Sequence, residues 1–485
     1  MLLWAGLALP VQAQSGQQLG TLTLQEAIEI AQDQSPEARL ARFDMIASQW
    51  QYRAFRADLL PSLDLSGDAP NYNRSIIPVT QPDGSVVFRD QVQSNAGAEL
   101  SVNQNIPLTG GRLSLSSEIG RLGIFGGENS YLWSSTPLQA QFVQPIFQYN
   151  NLKWRNRIEP LRFEIAQKQF VQNMEQVAQR TAQNFFNVYL AQVQLENARF
   201  NRASNDSIHT INLSRYRVGD ISENDLLASE LELKNAQVSV SNSEIEYQRV
   251  LNNFKIFLGY STDVSMELDA PEELPEVNVQ IDRAVQLAME NNNEALRYEL
   301  QEMQADANFA QQKAQSNLQM NLIARYGINK TSEDLADLYT ETQNSQFLTM
   351  GFQIPIFNWG QQRAQVNAAR NEQRRTATMI DYQRQQFVQG VETQVREFLQ
   401  RSNQVQLARE SDGIAQRRYD VAQTRYLVGD TDIEFLFQAQ AQRDAARVAY
   451  IRELSRFWTG LYNLRRMTLY NFRDNQMIDY SVGME

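Results

Sequence analysis

RYRVGD at residues 215–220 and RYLVGD at 425–430 are one corner written twice, 210 residues apart, with a single substitution. Each follows a long polar stretch of helical periodicity and precedes another. A glycine just past the end of such a stretch reads as a helix C-cap, because glycine takes positive φ without a Cβ penalty. The acidic residues that follow suit the first turn of a second helix, where the helix dipole favours negative charge. Two tight helix reversals are expected, one in each half of the chain.

Working outward, other features recur in the same order. TLQEAIEIAQDQSPEAR (23–39) answers to QIDRAVQLAMENNNEAL (280–296), with Ala27, Ala31, Glu37 and Ala38 returning as Ala284, Ala288, Glu294 and Ala295. LPSLDL (60–65) matches NLQMNL (317–322), and QPIFQYNN (144–151) matches IPIFNWGQ (354–361). Repetition in order at nearly fixed offset is the mark of an internal repeat. Each half then reads helix, strand region, long helix, corner, helix. First helices are expected at about 24–58 and 281–315, second helices at about 152–217 and 361–427, third helices at about 221–258 and 431–470. A middle helix of that length is roughly 100 Å long, and the first and third stacked end to end give about the same. Each half thus supplies two rods.

The stretch 221–258 shows how such rods pack. Leu226, Leu233, Val240, Tyr247 and Phe254 recur every seven residues as a coiled-coil seam, and Leu231, Val238 and Ile245 recur on nearly the opposite flank. Two opposed stripes suit a helix with a neighbour on each side, hence a wall of helices with two polar faces. A solvated antiparallel coiled coil is the plainer alternative. Between first and second helices the period switches to two. Ala98, Leu100, Val102 and Ile106 alternate with Glu99, Ser101, Asn103 and Asn105, and 111–119, 137–147, 317–328 and 347–354 behave similarly. One apolar and one polar face over about ten residues fits a transmembrane β-barrel. Phe147, Tyr149, Trp154, Phe357 and Trp359 then sit where an interfacial aromatic girdle is expected. One chain has too few strands to close a wide barrel, so several copies are expected to complete it.

Composition removes other classes. A net charge of −12 argues against a nucleic-acid binder, which needs basic surface. There is no Cys, so disulfides, thiolate metal sites and acylated cysteines are excluded, and the single His209 cannot make a multi-His metal site. No convergent pair of carboxylates stands out, so no catalytic, cofactor or metal site is expected. The opening MLLWAGLALPVQAQ reads as a secretory signal over 1–13, although it lacks a basic n-region. The first repeat is then 14–270, with barrel strands about 62–147 and a helical hairpin at 152–258. The second is 271–485, with strands about 317–355, a hairpin at 361–470 and a tail at 471–485.

The tandem repeat, QPIF and IPIF at the strand-to-helix junctions, and RYxVGD at both corners resemble the TolC-like outer-membrane efflux proteins over nearly the whole mature chain. The resemblance implies an α plus transmembrane β fold: a homotrimer whose joint β-barrel spans the Gram-negative outer membrane, continued by an α-helical barrel across the periplasm. It implies a passive exit duct for efflux or type I secretion, not an enzyme. Partners would be outer-membrane lipid, a periplasmic adaptor (membrane fusion) protein and an inner-membrane transporter of RND, ABC or MFS type. By resemblance the corners are periplasmic tips that dock the adaptor, through Arg215, Val218, Gly219, Arg425, Val428 and Gly429. The acids after each corner, Asp220, Glu223 and Asp225, then Asp430, Asp432 and Glu434, are candidates for the closed aperture. Threefold symmetry would make each a ring favouring cations. Where the family can carry a gate carboxylate in its second repeat this chain has Phe435 and Gln438, so an aromatic or amide constriction is also expected there.

The barrel departs from the family pattern. The repeat offset falls from 257 to 210, so residues 65–145 are 47 longer than their counterpart, and PLTGG (107–111) reads as a turn between two additional strands. The hairpin at 97–121 could enter the barrel or decorate it. RSIIPVTQPDGSVVF (74–88) is expected to be an extracellular loop turning at Pro82-Asp83-Gly84. The rival reading is a periplasmic adaptor or structural coiled-coil protein. Adaptors carry one hairpin beside compact domains; this chain has two hairpins and barrel-type strands.

Overall fold

The computed structural model describes residues 20–126, 129–271 and 273–480. The expected signal segment lies outside them. The helices are α1 (Leu24–Gln34), α2 (Pro36–Asp58), α3 (Asn151–Arg217), α4 (Glu223–Leu258), α5 (Ile281–Asn291), α6 (Asn293–Gln315), α7 (Gln361–Leu427) and α8 (Ile433–Thr468). The strands are β1 (Thr21–Thr23), β2 (Ser62–Thr80), β3 (Val86–Ile106), β4 (Gly111–Phe125), β5 (Ser130–Ile146), β6 (Glu267–Asp269), β7 (Gln319–Ser332), β8 (Gln343–Gln353), β9 (Tyr470–Asn471) and β10 (Gln476–Met477). Helix lengths agree in pairs: 11 residues for α1 and α5, 23 for α2 and α6, 67 for α3 and α7, 36 for α4 and α8. Among the described residues no helix is long and apolar enough to cross a membrane.

Both first helices are broken where one run was expected. Ser35 and Asn292 adopt extended backbone (ψ 150° and 148°) between α1 and α2 and between α5 and α6. Pro36 disfavours helical backbone at Ser35. The side chains of Ser35 and Asn292 then accept the amides of Ala38 (3.1 Å) and Glu294 (3.1 Å), so each break caps the next helix.

The chain forms two units. Among the described residues the first comprises 20–46, 166–271, 273–295 and 384–480. Its core runs along packed helices, with Phe185 edge-on to both Phe186 and Phe254, and Leu258, Leu454 and Leu464 also buried. Two features were not anticipated: β1 pairs in parallel with β6, and β9 pairs antiparallel with β10 in the tail. A buried ion cluster holds that tail. Glu175 accepts from Arg465 (2.7 Å) and from the Tyr480 hydroxyl (2.6 Å), and Gln32 donates to Tyr480 (2.7 Å).

The second unit comprises residues 47–165 and 296–383. It is built on one antiparallel sheet in the order β2-β3-β4-β5-β7-β8. PLTGG is indeed the turn between β3 and β4, with Gly110 at φ 76° and the Asn150 amide donating to the Pro107 carbonyl at 2.8 Å. The expected loop at 74–88 is a correction. Residues 74–80 and 86–88 are paired strand, and only the segment around Asp83-Gly84 turns, because Ile76, Ile77, Val79, Val86, Val87 and Phe88 favour extended backbone. The alternation holds across the sheet. Leu63, Leu100, Leu115, Phe352 and Leu348 share one face and are largely exposed or part-exposed, while Ser62, Asp64, Ser101, Ser116 and Thr349 share the other.

Candidate functional site at the helical corners

Each corner closes by the same backbone pattern. The amide of Asp220 donates to the carbonyl of Arg215 (2.9 Å) and that of Asp430 to Arg425 (2.8 Å), the six-to-one bond of a Schellman motif. Gly219 stands at φ 78° and Gly429 at φ 81°, where other residues are strained. A Cβ at either glycine would meet nothing within 4 Å, so backbone conformation, not crowding, selects glycine. Val218 and Val428 beside them are 79% and 74% exposed, unusual for valine with nothing of its own chain to pack on.

The two Arg-Tyr pairs do different work. Arg215 reaches to the other corner, donating to the carbonyls of Leu427 (2.6 Å) and Tyr426 (3.3 Å). These belong to the last turn of α7, where helix carbonyls have no intrahelical donor. Arg425 stays local, donating to the Asp430 carboxylate (2.9 Å) and carbonyl (3.1 Å). Tyr426 is buried and donates its hydroxyl to Asn212 at 2.6 Å, and burial pushes that hydroxyl's pKa up. Tyr216, its counterpart, is exposed.

Among the expected aperture residues, Asp220, Glu223, Asp430, Asp432, Glu434 and Gln438 are exposed. Asp225 is half-buried and committed: its carboxylate accepts from the Ser222 hydroxyl (2.7 Å) and amide (3.2 Å) while Ser222 Oγ accepts the Asp225 amide (3.2 Å). This is a capping box on α4. In α8 the N-cap is Asp432, whose side chain makes no cap hydrogen bond, and the position matching Asp225 is Phe435. Phe435 packs against a core of Ile208, Tyr419, Ala422, Tyr426, Ile433, Leu436 and Ala439, with the Arg418 guanidinium 5.5 Å from its ring centre. The same helical position caps in one half and packs in the other.

Behind the corners lies a polar cluster that sequence reasoning missed. Arg443 is 5% exposed, its guanidinium 4.6 Å from the Phe200 ring centre and 4.5 Å from that of Tyr419. It donates to Asn201 (2.7 Å) and Asp444 (2.6 Å), and Asn201 donates in turn to Asp444 (2.6 Å). A signal was present: at the repeat offset of 210, Arg443 stands where the first half has the seam residue Leu233. His209 faces Ser229 at 3.2 Å. Among the described residues no cluster of His, Asp and Glu could hold a metal ion.

A family model described as outer membrane efflux protein matches residues 27–259 and 284–468. No curated protein matches the chain. Among solved structures, a membrane protein from Pseudomonas aeruginosa is similar over 95% of this chain and 92% of its own, at 14% identity and TM-score 0.67. The Campylobacter jejuni CmeC outer membrane channel covers 95% of this chain and 87% of its own, at 15% identity and TM-score 0.65. The open state of the Neisseria gonorrhoeae MtrE outer membrane channel covers 94% and 90%, at 15% identity and TM-score 0.60. The fold is of the TolC type, with long helices and with strands that close into a barrel only as part of a trimer. Matched in both halves, the chain belongs to the outer membrane efflux protein family: it is a non-catalytic channel of efflux or secretion systems, placed in the outer membrane with a helical region spanning the periplasm.

Proposed function

We propose that three identical copies of this chain form the exit duct, that the chain is two structural repeats, 14–270 and 271–485, and that the two corners are the surface a periplasmic adaptor grips. The adaptor in turn couples the duct to an inner-membrane transporter. Support for the homotrimer comes from two unpartnered heptad stripes. Leu231, Val238 and Ile245 on α4 are 61%, 61% and 69% exposed, and Leu407, Ile414 and Val421 on α7 are 54%, 58% and 57% exposed. Two different apolar seams on one chain make a head-to-tail interface, which closes into a ring when the rotation permits.

The observation that carries the docking reading is the exposure of Val218 and Val428 at the two glycine corners. Both are apolar, both are held by rigid capping geometry, and Arg215 ties the two corners of one chain together. The acids Asp220, Glu223, Asp225, Asp430, Asp432 and Glu434, with Gln438 and Phe435 behind them, are the aperture in this reading, and a ring of carboxylates favours cations. A photo-crosslinking residue placed at Val218 or Val428 in cells is expected to trap a periplasmic protein. Placed at exposed Leu407 it is expected to trap a second copy. Crosslinks to the adaptor from Leu407 and none from the corners would overturn the docking reading.

A further inference from the structure

We infer that β3 and β4 are full wall strands of the membrane barrel, so that three copies close an eighteen-stranded barrel of porin-like bore through pairing of β2 of one copy with β8 of the next. The inference rests on the trimer reading above and adds to it the strand number, the seam and the width of the outer-membrane passage.

Four observations lead there. First, the extra hairpin is not an appendage. β3 is hydrogen-bonded to β2 on one side and to β4 on the other, and β4 to β5, so all six strands form one uninterrupted ladder. Removing β3 and β4 from the wall would leave one edge of each of β2 and β5 unpaired in lipid, which the hydrocarbon region does not tolerate. Second, the apolar face continues through the extra strands. In register lie Leu63–Val102–Leu115–Ala140–Tyr326 and, one row along, Leu113–Phe142–Ala324–Leu348, with Leu65–Leu100 and Leu322–Met350 on the same face. Decorating strands outside a barrel would face water on both sides and have no use for such a band. Third, each of the six strands has at least 11 residues, β3 reaching 21, enough for the ~9–11 residues that a tilted strand needs to cross.

Fourth, the inward face reads as a wide, wet lumen. Glu99 and Glu118 stand directly opposite each other across β3 and β4, flanked in the same row by Ser66 and Thr136. Like charges directly opposite destabilise a strand pair. Water at high dielectric reduces that repulsion at close range to about 1 kcal/mol. Small barrels fill their interior with side chains, whereas barrels of sixteen to eighteen strands keep an aqueous channel. The free edges left by the ladder order are β2 and β8, one on each side, and only another copy offers the complementary edge to both. A duct of this bore has no size filter in the outer membrane, and selection by size falls to its periplasmic end.

The test uses the full chain, which is free of Cys, with single cysteines carrying nitroxide labels in lipid nanodiscs, after the particle mass has been measured. Val102→Cys and Leu115→Cys probe the apolar face of β3 and β4; Ser101→Cys and Ser116→Cys probe the other, the two pairs being cross-strand neighbours. In a trimeric particle, labels at 102 and 115 are expected to relax with oxygen several-fold more than with a water-soluble nickel complex, and labels at 101 and 116 the reverse. Leu65→Cys combined with cysteines along β8 at Leu348, Met350 or Phe352 is expected to give disulfide-linked dimers and trimers at one register. A trimer in which all four labels answer to nickel, or in which no β2–β8 pair crosslinks, overturns the eighteen-stranded barrel and leaves the trimer standing. A particle of one or two chains overturns the trimer itself and the barrel with it.

Discussion

Arg215 and Leu427 are 212 residues apart in sequence, yet the Arg215 guanidinium donates to the Leu427 carbonyl at 2.6 Å, joining the two corners of one chain. The equivalent Arg425 is turned back on its own Asp430. The repeat therefore yields one corner that reaches and one that is reached. Hydrogen bonds from a charged donor are worth about 1.5–3 kcal/mol when partly buried, enough to shift a two-state tip population tenfold or more.

Arg215→Ala is accordingly expected to loosen the tip where Arg425→Ala does not. Amide hydrogen exchange over the last turn of α7 should rise roughly tenfold in the first variant. Equal protection in both variants would remove Arg215 from its bridging role.

The glycines separate folding from docking. Gly429→Ala carries a positive-φ penalty of about 1 kcal/mol, whereas Gly429→Asn is tolerated in left-handed backbone. Trimers should form in both variants. Adaptor capture by the Asn variant is expected to fall sharply, since the new side chain covers backbone that is now bare. Normal capture would show that the glycine serves only the turn.

Charge at the aperture is testable residue by residue. Asp225→Asn breaks the box with Ser222 and should destabilise the start of α4 by about 1 kcal/mol. Exposed Glu434→Gln should cost less than about 1 kcal/mol at the start of α8 and lower the cation-to-anion permeability ratio in planar bilayers. An unchanged ratio in both variants would take these acids out of the pore.

The buried cluster at the tail sets stability. Arg465→Met leaves Glu175 buried beside a single hydroxyl donor from the tail and is expected to cost about 3–5 kcal/mol, read as a lower melting temperature in detergent. Alkali acts on the same region. Burial raises the Tyr462 hydroxyl from 10.0 to about 12, and raises Tyr480 as well. The unfolded chain gives up these protons first, so the contribution of Tyr462 is complete below about pH 10 and is lost as pH rises towards 12. For Tyr462 alone the loss is about 3 kcal/mol, and Tyr462→Phe should flatten that part of the stability profile.

What could be read in advance was whatever repeats locally. The glycine corners, the heptad seam through Leu233 and Phe254, and the alternation from Ala98 to Ile106 are statements about neighbours in sequence, and the fold class follows from them. The strand pattern at 74–88 was obscured by Pro78 and Pro82, which mark turns, although Pro78 pairs with Phe88 within the hairpin. Long-range polar contacts left no local trace. Nothing near Arg215 specifies the carbonyl of Leu427, and nothing near Glu175 specifies Arg465 or Tyr480. The unlike fates of Asp225 and Phe435 were visible as a departure at one position, but their roles depend on what each helix packs against.

The most direct measurement is the native mass of the protein extracted in mild detergent from separated outer membranes. Three chains in that fraction are what a duct closed by β2–β8 edges and by the α4 and α7 stripes requires. A particle of one or two chains, or recovery of the protein in the soluble periplasm, would contradict it.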